Sequence, residues 1–317
     1  MFKIVRYTSE HIDEWNTFVA KSKNGTFLFD RYYMDYHSDR FKDHSLMFYK
    51  QDRLYALLPA NDDGKGTLWS HQGLTFGGLI MSDRCRTEEV CELFLQLNSY
   101  LQSTGFHRVV YKTMPWHYCL LPSQEDLYAI TTQLHATIKA RNIASVIDLS
   151  RPTQWSRDRK YGLNVASRND ITINKSEDFE EFWLLLEANL MNKYHAHPVH
   201  SVREIELLRS RFPDNIRLFC AFQNDKILGG TILYQTPQVV HTQYISASAE
   251  GKRMRVLDML FYHLTQKVKW QQRFFDFGTS NMPGSSELHA SLIHQKEGFG
   301  ARAVCYDTYE WEIPIEP

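Results

Sequence analysis

A chain of 317 residues is longer than one hydrophobic core usually organises, so two domains of roughly 150 residues each are expected. Its 36 Lys and Arg nearly cancel 37 Asp and Glu, which argues against a global field drawing it to DNA, RNA or lipid and makes any anion site local. Five scattered cysteines (Cys85, Cys91, Cys119, Cys220, Cys305) without CxxC spacing fit reduced thiols and a cytoplasmic location, and the absence of a signal-like or 18-residue apolar run predicts no membrane span.

In chain order, residues 9–20 read as a helix with Ser9 as cap and Ile12, Trp15 and Val19 on one face. Apolar runs at 46–50 and 54–59 flank Gln51-Asp52-Arg53 and predict a hairpin. An extended segment over 68–81 follows, with the polar, glycine-rich centre Ser70-His71-Gln72-Gly73-Leu74-Thr75-Phe76-Gly77-Gly78. Glycines there admit close approach of a backbone or ligand, which makes His71 and Gln72 candidates for an acceptor cleft; a bulged edge strand is the competing account. Val90, Leu93, Phe94, Leu97 and Leu101 mark an amphipathic helix, and 108–112 a buried strand. A helix over 127–138, a strand over 143–149 and a polar, basic connector over 150–169 complete this half.

The second half repeats the order. Phe179, Phe182, Trp183, Leu186 and Leu190 form a helical stripe, and Ser201-Val202-Arg203-Glu204 has capping-box spacing. Strands at 216–222 and 227–234 flank Gln223-Asn224-Asp225-Lys226; a strand over 239–247, a helix carrying Leu257, Leu260, Phe261, Leu264 and Val268, and a strand over 274–277 ending near Met282-Pro283 follow. The halves register at an offset of about 170 residues, as tandem copies would. The expected fold is α+β, two like domains over 1–150 and 151–317, each a mixed central sheet flanked by helices.

The segment Tyr244-Ile245-Ser246-Ala247-Ser248-Ala249-Glu250-Gly251-Lys252-Arg253-Met254-Arg255 runs from strand into helix through small residues. Backbone N–H groups at such a helix start, with cations beside them, suit a phosphate. Ala249, Glu250, Gly251, Lys252, Arg253 and Arg255 are therefore the candidate donor-binding residues, against the alternative of an ordinary turn with solvated charges.

This order of elements resembles the GNAT acyltransferase fold, and its duplication resembles the FemAB-like aminoacyltransferases. Phe275-Asp276-Phe277-Gly278 is similar to the DFGG strand end of that family, and Leu292-Ile293-His294-Gln295-Lys296-Glu297-Gly298-Phe299-Gly300 to its FKxxFG segment, with Gln295 in place of the aromatic. By architecture the resemblance spans most of the chain; by motif it spans residues 240–313. Glu250-Gly251-Lys252-Arg253 departs from the usual GNAT turn. The resemblance implies that Lys296 lies at the reaction centre, stabilising charge at a carbonyl, that Asp276 orients an amine, and that Tyr194, His200 and Ser201 belong to the acceptor cleft. It further implies that Arg151, Arg157, Arg159, Lys160 and Arg168 correspond to the basic helix before the second Fem domain.

The expected reaction is direct acyl transfer to an amine with a strand amide polarising the carbonyl. Lys296, Tyr244 and His200 are the catalytic candidates, with Tyr244 or His200 moving a proton; His71, Gln72, Tyr194, Ser201, Asp276 and Asn281 shape the acceptor site. No tightly bound cofactor is expected. Acyl-CoA and aminoacyl-tRNA compete as co-substrate, and the neutral charge disfavours tRNA. The acceptor is a small-molecule or peptide amine. Pro198 interrupts the spacing of His195, His197 and His200, so no metal site is expected. A non-catalytic protein whose degenerate acyltransferase fold recognises a cell-wall precursor is the alternative.

Overall fold

The computed structural model describes residues 1–282 and 284–314, all with side chains except Lys193 and Tyr194. Pro283, at the expected end of one strand, and the side chain of Tyr194 thus lie outside the described residues. The chain forms two compact units, Met1–Asn142 together with the stretch from Cys305, and Ile143–Val304. They differ from the expected 1–150 and 151–317 in that the last strand, Arg302–Glu312, ends in the first unit, where it pairs with Arg108–Lys112.

In the first unit, Lys3–Arg6, Leu46–Lys50, Arg53–Leu58 and Ile80–Met81 form an antiparallel sheet in that order. Gln51 and Asp52 both take positive φ, 49° and 58°, the two-residue turn whose twist matches a hairpin. Thr67–Trp69 lies parallel to Arg108–Lys112. Helix Thr87–Ser103 buries Val90, Leu93, Phe94, Leu97 and Leu101 in a core with Phe48, Tyr111 and Trp311, each large side chain contributing about 2 kcal/mol by leaving water.

The single extended segment expected over 68–81 is instead two short strands, Thr67–Trp69 and Ile80–Met81, joined by a loop. Backbone and side-chain bonds tie the loop down. The Lys112 ammonium donates to the carbonyls of His71, Gln72 and Leu74 at 3.1, 3.2 and 2.5 Å. Ser70 Oγ accepts from Lys112 N at 2.7 Å, and Leu79 N donates to Tyr111 Oη at 2.6 Å.

In the second unit the strand order is Thr172–Ser176, Ile216–Gln223, Lys226–Gln235, Val239–Ala247, Phe274–Thr279 and the end of Thr137–Asp148. All neighbours are antiparallel except Val239–Ala247 and Phe274–Thr279. Asn224 and Asp225, φ 48° and 65°, repeat the hairpin turn of the first unit. Val256–Tyr262 is the crossover helix; Leu260 and Phe261, with Leu264 just beyond, pack on Val240, Phe275, Phe277 and Phe299. On the opposite face lie Phe179–Tyr194 and Val202–Arg211, the latter begun by the expected capping box of Ser201 and Glu204.

Two further expectations are corrected. The helix placed over 127–138 is Glu125–Gln133, and the strand placed over 143–149 is the longer Thr137–Asp148. The connector contains a helix, Arg157–Arg168, capped by Ser156; Gly162 in it permits contact with Asp258 and Arg255 that any Cβ would block.

Candidate functional site

The central feature of the second unit is the parting of its two parallel strands. Their register runs Val239↔Phe274, Val240↔Phe275, His241↔Asp276 and stops, although the strands continue to Ala247 and Thr279. Both partners contribute. Ile232 pairs with Tyr244 and Leu233 with Thr242, leaving Gln243 as an extra residue that bends its strand. Gly278, with φ +70°, redirects the other. Backbone from 242 onward therefore has no paired strand on this side.

Alternation along the strands decides which side chains stand at the parting. Val240, Phe275 and Phe277 point to the crossover helix, so His241 and Asp276 point to the opposite face. Tyr244 shares that face, its ring 5.2 Å from Trp183 of helix Phe179–Tyr194 in edge contact. Asp276 is fully buried; its Oδ1 accepts from Gly278 N at 2.7 Å, and its Oδ2 lies 3.3 Å from His241 Nδ1. The Lys296 ammonium, 5% exposed, donates to the carbonyls of Gly278 at 3.0 Å and Thr279 at 2.7 Å. Burial lowers it to about 8 despite Asp276 nearby. Tyr244 Oη lies 2.6 Å from His200 Nδ1, and burial raises the phenol to about 12.

Among the described residues, two buried hydroxyls, Ser246 Oγ on the first strand and Ser280 Oγ just past the second, and the indole N–H of Trp183 have no hydrogen-bond partner. Each is a group that a polar, extended ligand would satisfy, since an unmet buried donor costs about 1–3 kcal/mol.

The structure thus brings Tyr244 to His200 and Lys296 to the Asp276 strand end, and it reassigns other residues. Gly251 packs directly on Leu228, whose carbonyl oxygen a Cβ would strike, and its N–H donates to the cap Ser248 Oγ at 2.9 Å; its role is packing. Arg255 donates to Asp158 Oδ2 at 2.9 Å and Asp258 Oδ2 at 2.6 Å, tying two helices together instead of facing an anion. Glu250 pairs with Lys226 at 2.7 Å, and Lys252 bonds to Asn189. Ala249 and Glu250 open the five-residue helix Ala249–Arg253, and Arg253 is exposed.

Asp276, expected to orient an amine, is fully buried, with its Oδ2 beside His241. Asn281 accepts from Ile143 N at 2.9 Å and donates to Ser286 O at 2.9 Å, which makes it a loop brace. Ser201 is a helix cap. In the first unit, His71 is 3% exposed at φ +82°, packed on His37 and Phe41, and burial pushes it down to about 3. Gln72 exchanges two hydrogen bonds with Asn61. Both hold the loop in place. His241, which the sequence reading did not single out, lies in the same strand three residues before Tyr244 and meets Asp276 at 3.3 Å.

Residues 155–284 match the family model of the acetyltransferase (GNAT) domain. No curated protein matches the sequence. Among solved structures, FemX is similar at 10% identity and TM-score 0.67, over 99% of this chain and 98% of that one. L-PGS from Bacillus licheniformis is similar at 12% identity and TM-score 0.59, over 96% and 91%. A tandem GNAT protein from the clavulanic acid biosynthesis pathway is similar at 12% identity and TM-score 0.50, over 100% of both chains. Likeness at such identity speaks of fold. The second unit therefore carries a GNAT acetyltransferase domain, and the chain as a whole has the tandem fold of the FemAB-like GNAT proteins.

Proposed function

We propose that this protein transfers an acyl or aminoacyl group from a long, phosphate-containing donor to the amine of a small molecule or peptide, in the crevice where Val239–Ala247 and Phe274–Thr279 part. The carrying observation is that parting itself: it turns strand amides toward a ligand, where they can polarise a carbonyl without reorganisation. From His241 to Ser248 the strand rises roughly 20 Å, a span that suits an extended arm. Ser246 Oγ and Ser280 Oγ, unmet by protein, fit the amides of such an arm. Its phosphates would reach the exposed Lys252 and Arg253.

Acyl-CoA is the favoured donor over aminoacyl-tRNA because 36 cations against 37 anions argue against the large basic footprint that tRNA binding favours. When bound, it supplies an activated thioester; the chain's own residues align it and accept charge and protons. No covalent enzyme intermediate is required. A second reading, a binding protein with a degenerate fold, draws on the internal pairing of Glu250, Lys252 and Arg255.

The test is thermal unfolding with coenzyme A and acetyl-CoA, followed by mass spectrometry of primary amines incubated with acetyl-CoA and protein. Saturable stabilisation, about 2.7 kcal/mol at a hundredfold excess over Kd, and an acetylated amine are expected. Stabilisation without turnover on any amine favours the binding protein. No stabilisation by any acyl-CoA moves the donor to aminoacyl-tRNA.

A further inference from the structure

We propose that His241, whose Nδ1 lies 3.3 Å from the buried carboxylate of Asp276, takes the proton of the attacking amine. The inference rests on the transfer reaction proposed above and adds a residue to it. His241 is the last paired residue before the strands part, which places it where an acyl group on an extended arm laid between them would arrive. It is 12% exposed, and its carboxylate partner is fully buried.

Four residues form one linked set. Asp276 Oδ1 is fixed by the Gly278 N–H at 2.7 Å, and its Oδ2 meets His241 Nδ1 at 3.3 Å. A Cβ on Gly278 would lie 3.2 Å from His241 Cε1, so glycine leaves the ring its room. The left-handed turn at Gly278 also presents the carbonyls of 278 and 279 to Lys296. An imidazole whose Nδ1–H is given to a carboxylate carries its lone pair on Nε2.

In the step, the amine nitrogen attacks the acyl carbon, the C–N bond forms and the C–S bond of a thioester breaks. The electron pair leaves on the thiolate, and the ammonium proton passes to His241 Nε2, from which it is lost to the thiolate or to water. Tyr244 is the poorer acceptor: its phenol, raised to about 12, is protonated at neutral pH and is suited to give a proton.

The experiment compares wild type, His241→Gln, His241→Gly and Asp276→Asn, with acetyl-CoA as donor probe, a panel of primary amines and thiol release as readout. His241→Gln should lose about 10²- to 10⁴-fold in kcat/KM with coenzyme A stabilisation unchanged, and free imidazole should restore turnover to His241→Gly. In parallel, long-range ¹H–¹⁵N correlation spectra of wild type should show the Nδ1–H tautomer of His241, lost in Asp276→Asn. A His241→Gln enzyme within about threefold of wild type, with the same pH profile, overturns the proposal; so does an Nε2–H tautomer, whether or not any amine turns over. Failure of wild type to bind any acyl-CoA counts instead against the transfer reaction with that donor.

Discussion

The Tyr244 hydroxyl lies 2.6 Å from Nδ1 of His200, 44 residues away in the chain, and at 3.3 Å it also accepts the His200 backbone N–H. Because burial raises the phenol to about 12, it is protonated at neutral pH and donates to the imidazole. Tyr244→Phe removes both contacts with this buried loop residue and should lower stability by about 1–3 kcal/mol. Calorimetry of Tyr244→Phe, His200→Phe and the double variant checks it: a coupling of about 0.5–3 kcal/mol is expected, and simple additivity would refute it.

Lys296 gives the second prediction. Unfolded, a lysine titrates near 10.4, whereas burial holds Lys296 at about 8. Between those values the unfolded chain binds more protons than the folded one, so this group makes stability rise with pH. The cost of burying the charge, about 3 kcal/mol, is fully present below pH 8 and is relieved as pH approaches 10. Lys112 behaves likewise, so the contribution of Lys296 must be read as a difference. Urea unfolding of wild type and Lys296→Met should show wild type gaining on the variant by about that amount from pH 7 to pH 10; a constant difference would mean the ammonium is solvated.

Arg255 supplies a third. Its guanidinium joins Asp158 to Asp258, a carboxylate 2% exposed that also takes a 3.0 Å bond from Arg159. Removing it as Arg255→Met leaves Asp258 with one cation in a buried place, at a cost of about 2–4 kcal/mol. Were Arg255 a phosphate ligand, the variant would bind coenzyme A more weakly at unchanged stability. The expected outcome is the reverse: a lower Tm and an unaltered Kd, read by calorimetric titration.

Much of the fold was legible because local signals agreed with tertiary ones. Both hairpin turns, the Ser201 capping box and the stripe of helix Thr87–Ser103 follow from turn chemistry and period alone. Strand and helix limits near 133–148 were misread because the turn at His135, φ +52°, carries no Gly or Pro signal. The site was less legible. Lys296 was a candidate by motif resemblance and Tyr244 by its place before the turn, but Arg255 reads as a cation at a helix start whether it meets a ligand or Asp158. His241 becomes a candidate only through its register with Asp276, a pairing across a crossover that no local pattern encodes.

The last prediction concerns stoichiometry. In the first unit, Thr67–Trp69 lies parallel to Arg108–Lys112 as Val239–Ala247 does to Phe274–Thr279. Past the paired residues the second unit's strand runs on beside a crevice, whereas the first unit's chain leaves the sheet for the loop of residues 70–79. Lys112 holds that loop through three carbonyls, Gly77 packs so tightly on Ser70 that a Cβ would strike its carbonyl, and Phe76 sits 4.6 Å from the Tyr118 ring. The place equivalent to the crevice is taken by the unit's own loop, three of whose carbonyls Lys112 already engages. One coenzyme A per chain is therefore expected in calorimetric titration. Gly77→Ala should lower Tm, since a collision with backbone has no flexible side chain to absorb it, while leaving that stoichiometry at one; two equivalents in either protein would show that the loop yields to a donor.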